Sequence, residues 1–173
     1  MPEIILRDEI VADDWHVLRP LADQPVIVPG GRIIVPLAIW LAQQPALIAR
    51  GNVGVWLAAT DDPGELAPSL PELSLVAVEF AKFTDGRGYS IAYLLRSRFA
   101  YRGQLRAIGD VLPDQLFYMK RVGFDAFAVR EDKDIRQALR SLRPFTDAYQ
   151  GCWDNPLPAF RRHDRAWPTK TQG

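Results

Sequence analysis

Cysteine is nearly absent. Cys152 is the single one in 173 residues, so the chain can close no internal disulfide and can build no cysteine-rich zinc or iron–sulfur site by itself. Histidine is almost as scarce: His16 and His163 both lie outside the regular apolar segments, which argues against a Ser-His or Cys-His catalytic arrangement. Long hydrophobic runs are missing too. The longest uninterrupted one covers residues 33–42, about half of the ~20 residues that a membrane helix needs, so no membrane segment is expected. The N-terminus sets Glu3, Asp8 and Glu9 around a short apolar run. It lacks the basic start and apolar core of a secretory signal, which makes the cytoplasm the expected location.

Net charge is absent as well, but the balance hides a polarity. Residues 1–81 carry 4 basic and 11 acidic side chains, a net of −7, whereas residues 82–173 carry 17 and 10, a net of +7. Between Lys82 and Arg106 six basic residues face Asp85 alone. Such a cluster suits an anionic ligand or an acidic protein face, and equally a solvated helix surface whose arginine stems lie on apolar neighbours. With 48% hydrophobic and 24% charged residues, the chain has the composition of a single globular domain.

Apolar periodicity organises residues 1–150 as one α/β domain and leaves 151–173 as a mobile tail rich in Pro and Arg. Residues 3–13 read as a β-hairpin about a charged turn at residues 7–9, decorating the domain. The β-branched run Ile33-Ile34-Val35 is a strand, and a helix begins at Pro36 and is broken or kinked at Pro45. Strands follow at residues 53–58, 73–80, 105–108 and 124–129. Helices follow at residues 91–99, 113–122 and 132–143, the second ended by Gly123. Strands alternating with helices across short loops imply right-handed crossovers and a mainly parallel sheet of about five strands. An open doubly wound sheet and a half-barrel are both admissible. A half-barrel would leave an unpaired edge and favour a homodimer.

In a parallel sheet the loops after the C-terminal strand ends share one rim, where ligands usually bind. Residues 84–90, 109–115 and 130–134 fall there. In the first, Asp85, Gly86, Arg87, Gly88, Tyr89 and Ser90 combine two glycines, a helix start with unpaired N–H groups and an arginine fork, a plausible oxyanion cradle. It matches neither the Walker nor the dinucleotide fingerprint, and reads equally as a strand-to-helix turn capped by Asp85 or Ser90. Asp110 is the candidate acid/base, with Gln115 nearby and Arg106 as a further cation. Asp114 suits a helix first turn. Asp61-Asp62 and Asp132/Asp134 suit turns and helix starts, so no metal site is expected. Tyr89, Tyr93, Tyr101 and Tyr118 lie among arginines, but the chain carries no RNA-binding signature, and nucleic acid is not an expected partner.

The runs Phe83-Thr-Asp-Gly-Arg-Gly-Tyr-Ser90, Leu94-Leu-Arg-Ser-Arg98, Leu105-Arg-Ala-Ile-Gly-Asp-Val-Leu112 and Gly123-Phe-Asp-Ala-Phe127 carry a resemblance. They are similar to a bacterial domain-of-unknown-function family labelled "oxidoreductase probably involved in sulfite reduction", over about residues 13–145. The resemblance implies an accessory protein of assimilatory sulfite reduction acting with the haem-containing sulfite reductase subunit. Arg96, Arg98, Arg102 and the basic tail would then meet an acidic surface on that partner. The alternative is a small enzyme of sulfur metabolism, an oxidoreductase, holding an anionic small molecule such as sulfite, sulfate or a phosphorylated derivative at residues 85–90, with Arg87 and Arg106 neutralising its charge and Asp110 as acid/base. No flavin, nicotinamide or sirohaem site is evident, so the cofactor is unknown.

Overall fold

The apolar alternation of the chain becomes strands and its i, i+3, i+4 stripes become helices, in a computed structural model that describes residues 1–22 and 25–142. The proposed tail, Cys152 and His163 lie outside those residues. The order is β1 (Glu3–Leu6), β2 (Glu9–Ala12), β3 (Trp15–Val17), β4 (Arg32–Pro36), α1 (Leu37–Arg50), β5 (Val53–Leu57), a 3₁₀ segment (Pro63–Glu72) and β6 (Leu75–Phe80). Then come α2 (Arg87–Ser97), β7 (Gln104–Gly109), a short 3₁₀ turn (Pro113–Gln115), α3 (Leu116–Val122), β8 (Ala126–Phe127) and α4 (Ile135–Ser141). Pro45 sits inside α1, and the helix bends at Gln43, whose φ is −126°, because proline cannot donate to the ladder and its ring crowds the preceding turn.

One sheet holds eight strands in the order β2-β1-β8-β7-β6-β5-β4-β3, so the expectation of about five is corrected upwards. The hairpin does not decorate the domain: β1 pairs antiparallel with β8 as well as with β2. Its turn residues Arg7 and Asp8 have φ of 48° and 67°, the left-handed pair that matches strand twist in a two-residue hairpin loop. The other addition is β3, parallel to β4; three residues are too few for alternation to reveal a strand.

Strand order also decides between the two admissible architectures. From β3 to β8 every strand pairs parallel with its sequence neighbour, so the order never reverses and the sheet is not doubly wound. Right-handed crossovers that always advance the same way put the helices on one face. The sheet must also curl. Ala12 ends one edge strand and Trp15 begins the other, and three Cα–Cα steps of about 3.8 Å keep those ends within roughly 11 Å. The two edge strands are not paired with each other, so the sheet stays open. Both sides of the β4–β8 block are covered by N-terminal strands, so the unpaired edges of the sheet are those of β2 and β3.

Successive side chains point to opposite faces. Val35, Val55, Val78 and Leu105 pack under Trp40, Leu95, Leu116 and Met119 of the helices. Ile34, Leu75, Ala77 and Ile108 form a smaller cluster on the concave face. Arg106 alternates with Leu105 and Ala107, and is fully buried against Asp13.

Candidate functional site

The parallel register sets Phe80 beside Gly109, so the loops after β6 and β7 leave the sheet together at its C-terminal end. Gly109 has φ +89°, and a Cβ there would lie 2.5 Å from the Phe80 carbonyl oxygen; only glycine allows this close turn. Asp110 then organises the rim. Its amide donates to Phe80 O (2.7 Å), and its carboxylate accepts from the Phe83 amide (2.9 Å) and from Arg130 Nη1 (2.7 Å). Gln115 Nε2 donates to Phe83 O at 2.8 Å. Arg130, after β8, also grips Asp132 through Nε (2.8 Å) and Nη2 (2.7 Å). Three loops are thus tied through one carboxylate and one guanidinium.

Asp85 and Arg87 make a second, separate fork, with Nε at 2.9 Å and Nη2 at 2.7 Å from the two carboxylate oxygens. The expected cradle is partly helix. Helix α2 begins at Arg87, so Gly88, Tyr89 and Ser90 lie within its first turn. A Cβ on Gly88 would stand 2.7 Å from the Phe80 ring, so this glycine lets the helix approach the sheet. Tyr89 meets the same ring edge-on, with centroids 5.3 Å apart. Ser90 is exposed. No side chain closes over Gly86, where a Cβ would meet nothing within 4 Å.

The electrostatics follow from these pairs. Arg87, through its guanidinium and then its backbone amide, holds the Asp85 carboxyl down at about 2. Arg130, with help from the Phe83 amide, lowers Asp110, and Arg130 also lowers Asp132. Burial raises the Tyr89 phenol, and the Asp114 carboxylate raises it further. These carboxylates are ionised at neutral pH and are weak bases, and the phenol stays protonated. Asp110 is therefore not poised as an acid/base near pH 7. It is the rim's organiser.

The remaining expected residues separate. Arg106 does not join the rim: its Nη1 lies 2.9 and 3.0 Å from the Asp13 oxygens on the concave face. Arg96 is no surface cation. It is buried, donating to the carbonyls of Gly123 (2.9 Å), Tyr101 (2.8 Å) and Gly103 (2.8 Å). Arg98 and Arg102 are exposed. Arg130 is the rim residue not predicted individually; the signal lay in two acid–arginine pairs at i, i+2 spacing, Asp85/Arg87 and Arg130/Asp132, on loops after two parallel strands. Beside this network opens a cavity of about 460 Å³, lined by Pro113, Asp114, Arg130, Lys133 and Asp134 among others. Among the described residues no group of three or more His, Cys, Asp or Glu is placed to hold a metal ion, and no helix is long and apolar enough to cross a membrane.

Residues 54–160 match the model of a family described as "Bacterial protein of unknown function (DUF934)". The chain belongs to that family. No curated protein matches it. The DUF934 match starts within β5 and takes in β6, β7, β8 and every rim loop. It leaves out β1 to β4, and with them the Asp13 that neutralises Arg106.

Proposed function

We propose that this protein is an accessory of assimilatory sulfite reduction that docks on the haem-containing sulfite reductase subunit and holds no sulfite or sulfate on Arg87, Arg106 or Arg130. The observation that carries this reading is the state of the cations. Arg87, Arg106 and Arg130 are each held by an aspartate at 2.7–2.9 Å, so sulfite or sulfate would have to displace an ion pair already made. Arg98 and Arg102 lie exposed on the surface. Tyr93 and Tyr118 are exposed too, at 49% and 59%, on the mutually packed helices α2 and α3. Arginine and tyrosine are the residues that anchor protein interfaces, and a basic face steers towards an acidic one. The resemblance to the family labelled for sulfite reduction supports the choice of partner.

Affinity capture of the sulfite reductase haemoprotein by the full chain tests the proposal. Capture is expected with the wild type and lost with Arg98→Ala/Arg102→Ala. Failure of wild-type capture overturns it. So does a thermal shift by sulfite that Arg87→Ala abolishes, because that outcome assigns the 85–90 segment to an oxyanion enzyme. A gene deletion is expected to slow growth on sulfate and not on cysteine; equal growth on both removes sulfur assimilation from the reading.

A further inference from the structure

The end of the sheet opposite the rim holds a second cavity, of about 410 Å³. It opens where the chain enters β7 and β8 and where the hairpin turns at Arg7 and Asp8. That volume lies in the range of small-molecule sites. Four cationic side chains line it, Arg7, Arg96, Arg102 and Lys120, against the two carboxylates of Asp8 and Asp125. Phe124 and Phe127, both 1% exposed, supply apolar wall.

The ion pairs here differ from those at the rim. Lys120 Nζ is 2.8 Å from both Asp8 oxygens, but Arg7 Nε stands 3.7 Å from Asp125 and Arg96 Nη2 stands 3.5 Å from it. Asp125 Oδ1 instead accepts the Leu105 amide at 2.7 Å. The Arg96 side chain is only 6% exposed. Its Nε and Nη1 are fixed on three backbone carbonyls, which holds Nη2 at the cavity wall in one orientation. A buried guanidinium with a long ion pair, and an exposed one with a longer pair beside it, favour an added anion more than any rim cation does.

We infer that this cavity binds a phosphate monoester with a small apolar body. The long pairs of Arg7 and Arg96 with Asp125 match a phosphate head, and Phe124 and Phe127 match the body. Arg96 and Arg7 would take the head, with Arg102 and Lys120 adding to the field. The cavity shares Arg102 with the proposed docking face but not Arg98, so Arg98→Ala separates failure of the one from failure of the other.

Calorimetric titration of the full chain with phenyl phosphate, inorganic phosphate and phenol is the test. Phenyl phosphate is expected to bind at least about 10-fold more tightly than either fragment, the combination of head and body in one ligand. Arg7→Gln is expected to weaken it about 5- to 10-fold, and Lys120→Gln by a similar factor because it removes a positive charge from the cavity wall. Resonances of Phe124, Phe127 and the Arg96 Nε–H are expected to shift on binding, and Arg98→Ala to bind as the wild type does. Phenyl phosphate binding no more tightly than inorganic phosphate overturns the inference. So does wild-type affinity in both Arg7→Gln and Lys120→Gln, or resonance shifts confined to the opposite rim.

Discussion

Arg106 and Asp13, 93 residues apart in sequence, meet inside the curl of the sheet, with Nη1 at 2.9 and 3.0 Å from the two carboxylate oxygens. Asp13 belongs to the two-residue link that carries the chain from one sheet edge to the other. Arg106 stands on β7, in the parallel block. The pair therefore ties the link to the inner face of the sheet that it spans.

Asp13→Asn is expected to cost about 3–5 kcal/mol in urea unfolding, because it takes the bidentate carboxylate charge away from a buried guanidinium. The Arg106 side chain is 2% exposed, so water cannot take the place of the lost carboxylate. Asp13→Asn/Arg106→Met is expected to recover most of that loss. A single variant as stable as the wild type would show that the pair does not hold the link.

Gly88→Ala should destabilise by about 1–3 kcal/mol, the usual cost of forcing extra volume into a packed contact. Its Cβ would meet the Phe80 ring at 2.7 Å. Combining it with Phe80→Leu removes the colliding atoms, so part of the loss should return in the double variant. An equal loss for Gly86→Ala, where the space is open, would refute the packing explanation.

The rim pairs predict a pH response at the acid end only. A carboxyl lowered in the folded chain contributes order that is complete above its ordinary value of 3.8, and that contribution is lost as pH falls towards about 2 for Asp85. Asp110 is lowered in the same direction by Arg130 and the Phe83 amide. Carbon-detected NMR titration should show Asp85 ionised at pH 4 and protonating near 2. Arg87→Ala should return it to the ordinary carboxylate range. A wild-type Asp85 titrating at its ordinary value would contradict the fork.

Arg96→Lys should destabilise by about 3–5 kcal/mol, since a single ammonium cannot reach the three carbonyls of Gly123, Tyr101 and Gly103 and buried acceptors are left unpaired. Arg98→Ala, on the same stretch but exposed, should change stability by less than about 0.5 kcal/mol. Urea midpoints for the two variants separate the structural arginine from the surface one.

Much of the β-α alternation was legible because local patterns encode it. The residues 33–35 run, the Gly123 stop after α3 and the Pro45 kink all depend on chain geometry within a few residues. The common rim of Asp110 and the 83–87 segment followed from parallel strands alone. The arginines were not legible. Arg96, Arg98, Arg102 and Arg106 look alike in a basic stretch, yet two are buried and two exposed, and their fates depend on which strand face or helix face each occupies and what crosses it.

Sequence alone determined the α/β class of the protein, the elements of its β4–α4 part and the edge of the sheet from which the loops rise, since period, caps and turn residues act locally. Tertiary structure alone decided the eight-stranded order, the incorporation of β1 to β3 and the partners of Arg96, Arg106 and Arg130. Those outcomes depend on contacts between segments up to 122 residues apart, as in Ile5 with Phe127, and no local pattern carries the distance between them.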